Sequence, residues 1–351
     1  MRIAIVKLSA LGDIVHSIIV LQFIKQYNQE ILIDWIVEDR YKEILELNPY
    51  INKVHSINIQ KAKNRKSIQI LLSELKNIRK LEAYDLVIDL QGLLKSAIIS
   101  RIIPSNETVG FDKYSIRERY ASLFYSVVYS CAYDKNIIER NLELVSFAIG
   151  FKVTSQQIQN KLPLLFSKNE VLNENLSKEK NNIVLIPGSS HPSKCYPVKK
   201  FAQLSNLINA NFFVIWGNLN EKKMAYEIKE LSPSVNVCNK LSLSSLISLI
   251  SKADLVIGPD TGPTHISWAM NVRSITLFGA TPGYRNTYET KINRIIESTS
   301  NVNPRKINKS DYSINTRSAG YANTTSAINA VDFKVESNTI DSGVIKLYGI
   351  S

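Results

Sequence analysis

The sequence has few cysteines and no long apolar run, and both absences narrow the class of protein. Three cysteines occur in 351 residues, and their spacing fits neither a disulfide framework nor a zinc site. We therefore expect a reducing compartment. The longest apolar stretches, such as SIIVLQFI, are far shorter than the ~20 residues that a membrane-spanning helix needs. Lys7 ends the first apolar run too early for a signal peptide, so a cytoplasmic location is expected.

Several common catalytic signatures are absent as well. The chain has four histidines but no H-E-x-x-H and no D-x-D pattern, and so no metal site is predicted. It lacks G-x-S-x-G, which argues against an α/β-hydrolase. It also lacks the P-loop and the G-x-G-x-x-G fingerprint, which argues against ordinary nucleotide hydrolysis and against a dinucleotide-dependent epimerase.

Positive charge is in excess. The chain carries 43 basic and 31 acidic residues, a formal net charge of +12. This balance favours a polyanionic partner, either nucleic acid or an anionic membrane face, although a solvated basic surface explains part of it. Because no single element interleaves aromatic and basic residues, we expect no nucleic-acid partner.

Short runs rich in Val, Ile and Leu alternate with amphipathic stretches along most of the chain. Strands are predicted at RIAIVK, ILIDWIV, KVHSINI and DLVIDL, and helices near residues 13–27, 39–47, 66–81 and 93–102. After a charged, Asn-rich segment at 167–182, the alternation restarts with IVLIPG, FFVIWG, VNVC, DLVIGPD and SITLFG. Such alternation predicts parallel sheets covered on both faces. We therefore predict an α/β protein with two doubly wound domains, at 1–170 and 183–316.

The remaining segment, 317–351, departs from this pattern. It is rich in Ser, Thr, Asn and Gly, and its runs AVDFKVES and GVIKLYGI are more typical of strands than of a closing helix. From Ser318 onward it has two basic and three acidic residues, so the rest of the chain carries the whole positive excess. We regard it as an atypical tail and assign it no function.

Polar residues follow the first predicted strand, in KLSALGDIVHS. Gly12 permits a tight turn and a close approach of the backbone to a bound acceptor, and Asp13 falls where the first helix begins. An Asp in this place is usually a helix cap, but at the carboxyl end of a strand it can also act as a general base toward a substrate hydroxyl. His16 is either a core residue or part of the lining of the crevice at the carboxyl end of this strand.

The first domain contains a second strand–turn–helix motif with polar residues in its turn, and two segments rich in Lys and Arg. DLQGLLKS places Asp89, Gln91, Gly92 and Lys95 after the fourth strand. The basic runs contribute, among others, Lys61, Lys63 and Arg117. Such charges usually form a solvated face, but they can also meet an anionic acceptor.

The first polar turn of the second domain is IPGSSHPSKCYP, which supplies Ser189, Ser190 and Lys194 after a strand. Hydroxyls, backbone amides and an ammonium group suit a phosphate without forming a Walker loop. A polar loop ending in a proline-capped helix explains the same residues equally well.

The stretch DLVIGPDTGPTHISWA brings Asp260, Thr261 and Gly262 to the start of a helix, with His265 close behind. Amides at a helix N-terminus favour an anion, although an Asp cap followed by Pro is a complete structural explanation too. Because two candidate anion sites occur in the same domain, we favour the interpretation that these residues bind a ligand. Glu221, which follows FFVIWG, either accepts from ribose hydroxyls or is a helix-start acid.

Five motifs, in this order, resemble those of the ADP-heptose:lipopolysaccharide heptosyltransferases: KLSALGDIVHS, DLQGLLKSA, RERYASLFY, PGSSHPSKCYP and DTGPTHISWA. The resemblance spans residues 1–314. It implies the GT-B fold, in which two Rossmann-like domains face each other across a cleft, the first binding the acceptor and the second the donor. Two departures are visible: LFGATPG replaces the family's usual PTDP form, and the tail matches nothing in the family.

The resemblance also implies an activity. The expected reaction moves L-glycero-D-manno-heptose from ADP-heptose to the Kdo of Kdo–lipid A, with inversion, without a metal or cofactor, at the cytoplasmic face of the inner membrane, which the protein would contact peripherally. Asp13 matches the family's general base, and Glu221 matches an acidic residue that contacts the ribose. Arg117 matches a positively charged residue near the acceptor phosphates. The positions that match diphosphate or other donor contacts are Ser189, Ser190, Lys194, Asp260, Thr261, Gly262 and His265, with serines where the family has threonines. The alternatives are a transferase of the second heptose and a non-catalytic nucleotide-sugar or nucleic-acid binding protein.

Overall fold

The structure, a computed structural model, describes residues 1–167, 176–298 and 302–304, and the backbone of 330–335 and 343–348. The chain divides into two compact units, Met1–Phe166 and Ser167–Ser351. We refer to them below as the first and the second domain.

The first domain is built on a parallel sheet of six strands in the order β3-β2-β1-β4-β5-β6. These strands are β1 (Arg2–Val6), β2 (Leu32–Glu38), β3 (Lys53–Ile57), β4 (Tyr84–Asp89), β5 (Ser105–Phe111) and β6 (Val127–Tyr129). The helices are α1 (Leu11–Ser17), α2 (Ile19–Tyr27), α3 (Ile59–Asn64), α4 (Ile68–Arg79), α5 (Leu94–Ile102), α6 (Ile137–Ile149) and α7 (Ser155–Gln159).

The second domain repeats the plan. Its parallel sheet has the order β12-β11-β10-β7-β8-β9. The strands are β7 (Asn182–Leu185), β8 (Asn211–Val214), β9 (Asn236–Val237), β10 (Leu255–Pro259), β11 (Ser274–Phe278) and β12 (Asn293–Glu297). The helices are α8 (Val198–Leu207), α9 (Leu219–Leu231), α10 (Leu243–Ser251), α11 (Gly262–Ala269) and α12 (Gly283–Asn286).

The central strands have nearly continuous apolar sequences because both of their faces are buried. In β1, Ile3, Ala4, Ile5 and Val6 are all fully buried, because helices cover both faces of the sheet. All five residues of β10 are buried in the same way. Each sheet, numbered within its own domain, has the 3-2-1-4-5-6 order of a Rossmann fold. The prediction of two doubly wound domains is confirmed.

Three strands were not predicted. In β5 the sequence is SNETVGF, whose first three residues are partly or fully exposed while the last four are buried, so the alternation signal is lost. β6 has three residues, and β12 contains Asn and Arg. The helix predicted at 39–47 is a short 3₁₀ helix, Asp39–Ile44.

The two runs of the tail that were predicted as strands are strands. They form an antiparallel pair, β13 (Ala330–Val335) and β14 (Gly343–Tyr348), in a separate two-stranded sheet. The rest of the predicted tail, and most of the predicted linker after Ser167, lie outside the described residues. Within the described ranges, none of the helices is both long and apolar enough to span a bilayer.

Candidate active site

The polar turns of each domain follow its two central strands. Asp13 comes after β1 and Asp89 ends β4, while Ser189 comes after β7 and Asp260 follows β10. In both sheets these strands are neighbours, and the chain departs from them in opposite directions across the sheet. This is the topological switch point, where doubly wound sheets bind ligands outside the carboxyl ends of their strands.

Asp260 is the centre of the constellation in the second domain. The residue is 8% exposed. Its Oδ2 accepts from Lys194 Nζ at 2.6 Å and from the Thr281 hydroxyl at 2.6 Å. Its Oδ1 lies 3.0 Å from His265 Nε2. Three side chains from three different segments therefore converge on one carboxylate.

The environment of Asp260 sets its ionisation. Burial raises the pKa of this carboxyl, but the His265 hydrogen bond and the positive charge of Lys194 outweigh burial, so the pKa lies far below its usual range. Asp260 is therefore an anion at any physiological pH. Because an ionised carboxylate only accepts, His265 Nε2 is the donor in their hydrogen bond.

The loop after β7 brings two of the predicted residues to Asp260. The Ser189 hydroxyl donates to the Asp260 carbonyl oxygen at 2.9 Å. Lys194 ends a single 3₁₀ turn, Pro192–Lys194, which directs its side chain back toward β10. Ser190 is exposed and lies beside this contact in the chain.

Helix α11 begins directly after Asp260. Thr261 is its N-cap residue and Gly262 its first residue, with Pro263 in the first turn, where the missing N–H is tolerated. Both Thr261 and Gly262 are half-buried, and His265 is buried one turn further on. The first amides of this eight-residue helix have no intrahelical acceptor, so they form a site suited to an anion.

Glu221 closes the neighbouring turn after β8. Its carboxylate accepts from the Gly217 amide at 2.6 Å, and its own amide donates to the N-cap residue Asn218 at 3.0 Å. Gly188 packs so closely against this side chain that a Cβ at position 188 would overlap it. Glu221 therefore lies beside the loop that carries the two serines.

Thr281 is the site residue that sequence reasoning missed. It is 7% exposed and stands in the turn after β11, the strand next to β10. The available signal was its place in LFGATPG, a polar turn at the carboxyl end of a strand.

In the first domain, Asp13 occupies the third position of α1. Its Oδ2 accepts from the Ala10 amide at 3.1 Å, so the carboxylate caps the helix from its third position, while Ala10 and not Asp13 is the N-cap residue. The residue is nevertheless exposed, while His16 on the same helix is buried. Asp13 is therefore open to a substrate.

The turn after β4 holds the loop that precedes Asp13. Gln91 Oε1 accepts from the Leu8 amide at 2.7 Å and from the Ser9 amide at 3.2 Å. Lys95 Nζ donates to the Ser9 hydroxyl at 3.2 Å. Gly92 adopts a left-handed conformation with φ of +64°, and a Cβ there would collide with the Ile116 side chain. The two central turns of this domain are thus tied together.

Asp89 is a structural residue of that turn. It is fully buried and accepts from the amides of Gln91 and Gly92 and from the Tyr125 hydroxyl, the last at 2.7 Å. Burial raises the pKa of its carboxyl, and these hydrogen bonds oppose that effect only in part. Its role is to hold the turn.

The predicted acceptor cations lie on two different segments of the first domain. Lys61 and Lys63 are exposed on the short helix α3, where residues two apart point to different sides. Arg117 is exposed in the turn that follows β5. Gly12 lies in the first turn of α1, next to Asp13.

The residues that the structure describes contain no group of three or more His, Cys, Asp or Glu side chains arranged to hold a metal ion. The positive charge beside Asp260 is that of the Lys194 ammonium group. Two Rossmann-like domains, each with its polar turns at the switch point, are the architecture expected of the GT-B class.

Comparisons with known proteins identify the family. The model of glycosyltransferase family 9 (heptosyltransferase) matches residues 74–312. Lipopolysaccharide heptosyltransferase 1 of Campylobacter coli is 41% identical over 335 residues, which covers 90% of this chain and 95% of that protein. The chain therefore belongs to glycosyltransferase family 9, the heptosyltransferases. The family resemblance inferred from the five motifs is confirmed, and this relative is a heptosyltransferase 1.

Solved structures agree. The structure of E. coli heptosyltransferase WaaC with ADP has a TM-score of 0.73 and 25% identity, and the match covers 88% of this chain and 96% of that one. The complex of WaaC with ADP-2-deoxy-2-fluoro heptose has a TM-score of 0.71 over the same shares of the two chains. The expected GT-B fold is confirmed.

Proposed function

We propose that this protein transfers L-glycero-D-manno-heptose from ADP-heptose to the Kdo of Kdo–lipid A. The observation that carries the proposal is the convergence of Lys194, His265 and Asp260 beside the N-terminus of α11, at the switch point of the second domain. A relative at 25% identity binds ADP and an ADP-heptose analogue. The 41% identical relative is a lipopolysaccharide heptosyltransferase, which supports a lipopolysaccharide acceptor.

The donor diphosphate is assigned to the start of α11. The amides of Thr261 and Gly262 and the helix dipole favour its negative charge. Lys194 adds a positive charge, because an ammonium group has three N–H donors and Asp260 accepts one of them. Ser189 has to rotate before it can donate to phosphate, since its proton bonds to the Asp260 carbonyl oxygen. The exposed Ser190 needs no such change.

Two carboxylates are assigned to the neutral parts of the donor. Glu221, beside the serine loop, accepts from the ribose hydroxyls. The Asp260 carboxylate does not bind the diphosphate, because two negatively charged groups repel each other. Its carboxylate accepts three hydrogen bonds and has room for about one more, so it accepts from a hydroxyl of the heptose.

Asp13 is assigned as the general base. It removes the proton from a Kdo hydroxyl as that oxygen attacks the anomeric carbon of the heptose. A new C–O bond forms while the bond from that carbon to the diphosphate breaks, and ADP leaves with the electron pair. A single displacement from the opposite side inverts the configuration. Proton transfer of this kind contributes on the order of 10²–10⁴ in rate.

The leaving diphosphate gains negative charge in this step. In the proposed mechanism Lys194, the serine hydroxyls and the amides of α11 stabilise that charge, so the reaction needs no divalent ion. Preorganised donors of this type are among the largest contributions to catalysis, at about 3 kcal/mol for each donor removed.

The reaction is tested with ADP-heptose and two acceptors, Kdo–lipid A and its monoheptosylated form, in buffer containing a chelator. ADP release that requires both the donor and Kdo–lipid A supports the proposal. Transfer only to the monoheptosylated form would replace the acceptor with that of the second heptosyltransferase. Activity that appears only with added magnesium would contradict the metal-free step. The anomeric configuration of the product, read by NMR, decides whether the transfer inverts.

Because the proposed acceptor is a lipid of the inner membrane, we also place the protein at the cytoplasmic face of that membrane, in peripheral contact with it. The net charge of +12 supports contact with an anionic leaflet.

A further inference from the structure

Two apolar side chains stand almost fully in solvent on the turn after β5. Tyr120 and Leu123 are each 77% exposed, and both lie in the 3₁₀ helix Arg119–Phe124. Residues three apart in a 3₁₀ helix eclipse each other. The tyrosine and the leucine therefore point the same way, side by side.

The turn that presents them is firmly held. Ala121, on the opposite side, is fully buried, and the Ser122 hydroxyl donates to the Arg119 carbonyl at 2.9 Å. Glu118 accepts from the amide of Leu94, at the start of α5, at 2.7 Å. A well-anchored turn that nonetheless exposes its largest side chains is suited to contact something outside the chain.

Two cations and a further aromatic ring lie close to the pair in the sequence. Tyr114 is 65% exposed, and Lys113 Nζ lies 5.0 Å from the centre of its ring. Lys113 and Arg119 are both exposed. We call the set Lys113, Tyr114, Arg119, Tyr120 and Leu123 the interfacial turn.

The interfacial turn lies on the same edge of the first domain as Asp13. It follows the carboxyl end of β5, and Glu118 fixes it to the N-terminus of α5, which follows the carboxyl end of β4. Lys95, in the first turn of α5, bonds Ser9 in the loop before Asp13. A surface that the turn contacts is therefore close to the candidate base.

We propose that the interfacial turn docks this protein on an anionic lipid bilayer. Leu123 enters the acyl region, the tyrosines lie at the headgroup level and the two cations meet lipid phosphates. This inference rests on the proposed function, because only a lipid acceptor makes a bilayer contact beside Asp13 useful.

The chemistry of the turn favours a bilayer over a second copy of the chain. One short turn offers far less than the ~800 Å² per partner that a stable protein interface buries. Insertion into a bilayer needs only a few apolar side chains combined with positive charge. A peripheral contact also agrees with the absence of a spanning helix in the described residues.

The test is a vesicle co-sedimentation experiment with the full chain and the double variant Tyr120→Ser/Leu123→Ser. Vesicles contain phosphatidylcholine alone or mixed with phosphatidylglycerol. We expect the wild type to partition onto the mixed vesicles, more weakly at high salt, and the variant to lose about tenfold or more of that partitioning.

A matched control is available in the second domain. Leu219 is 75% and Tyr226 50% exposed, and Lys222 Nζ lies 5.8 Å from the Tyr226 ring. Leu219→Ser/Tyr226→Ser should bind vesicles as the wild type does. Equal losses in both double variants, or no loss in either, would overturn the proposal. So would a finding by light scattering that Tyr120→Ser/Leu123→Ser abolishes self-association while vesicle binding persists.

Turnover separates this inference from the proposed function. With a Kdo acceptor stripped of its acyl chains and no vesicles, the Tyr120→Ser/Leu123→Ser variant should work at the wild-type rate, and its rate should fall only with acceptor embedded in vesicles. If the wild type transfers no heptose to any acceptor yet binds vesicles through this turn, the function fails and the docking surface stands.

Discussion

The Thr281 hydroxyl donates to Asp260 Oδ2 at 2.6 Å, the same oxygen that accepts from Lys194 Nζ. The two donors share the charge of that oxygen between them. Thr281 thus limits how strongly Asp260 neutralises the ammonium group that we assign to the diphosphate.

We expect Thr281→Val to weaken ADP binding by about tenfold, the effect of one hydrogen bond to a charged group. Without the threonine, Lys194 alone shares the charge of Asp260 Oδ2, so the carboxylate neutralises more of the ammonium charge and less positive charge faces the ligand. Thr281→Ser keeps the hydroxyl and should bind ADP normally. Isothermal titration calorimetry with ADP measures all three proteins, and equal affinity for the Val and Ser variants would refute this role.

Lys194 and Asp260 form a nearly buried ion pair, so removing one member should cost stability. Lys194→Met removes the ion-pair partner of a nearly buried carboxylate, which keeps its hydrogen bonds with Thr281 and His265, and we expect a loss of about 3 kcal/mol in the free energy of unfolding. Adding Asp260→Asn should restore much of that stability but not ADP binding. Urea unfolding and ADP titration of the two variants test this. If stability and ADP affinity recover together, Lys194 has no direct part in binding the diphosphate.

Asp13 both caps α1 and serves as the proposed base, and one substitution separates the two roles. Asp13→Asn keeps an oxygen that can accept from the Ala10 amide, but it cannot take a proton. We expect turnover to fall on the order of 10²–10⁴ with unchanged ADP affinity and thermal stability. An Asn variant with wild-type turnover would leave Asp13 as a cap alone.

A buried charge network should make the first domain sensitive to acid. Asp34 accepts from Tyr84 at 2.6 Å and from Arg2 at 2.8 Å, and it lies 3.1 Å from His55 Nε2. Burial raises the pKa of this carboxyl, but the hydrogen bonds from His55, Tyr84 and Arg2 prevail and lower it to about 2.

Because the folded pKa is below that of the unfolded chain, the network stabilises the fold at neutral pH. That contribution should fade as pH falls from about 4 toward 2. The difference in unfolding free energy between wild type and Asp34→Asn, measured with urea, should therefore be large at pH 6 and shrink in acid. A difference that does not change with pH would contradict this assignment.

Local features of the sequence determined much of this protein. Val- and Ile-rich runs such as IAIV and DLVIGP predict strands buried on both faces, and polar residues directly after them predict the turns that carry Asp13, Ser189 and Asp260. These predictions succeeded because the signal and the structure lie within the same few residues. Strand β5 could not be predicted in this way. It is half exposed, so its SNETVGF sequence shows no clear alternation of apolar and polar residues.

The contacts of the candidate site were decided by tertiary structure alone. Lys194 and Asp260 are 66 residues apart, and only the pairing of β7 with β10 brings their turns together. Thr281 joins them because β11 lies beside β10, and Gln91 holds the Asp13 loop because β4 lies beside β1. Side chains on separate turns meet only after the sheet has set the order of its strands. That order arises from packing over the whole domain, which no short stretch of sequence encodes.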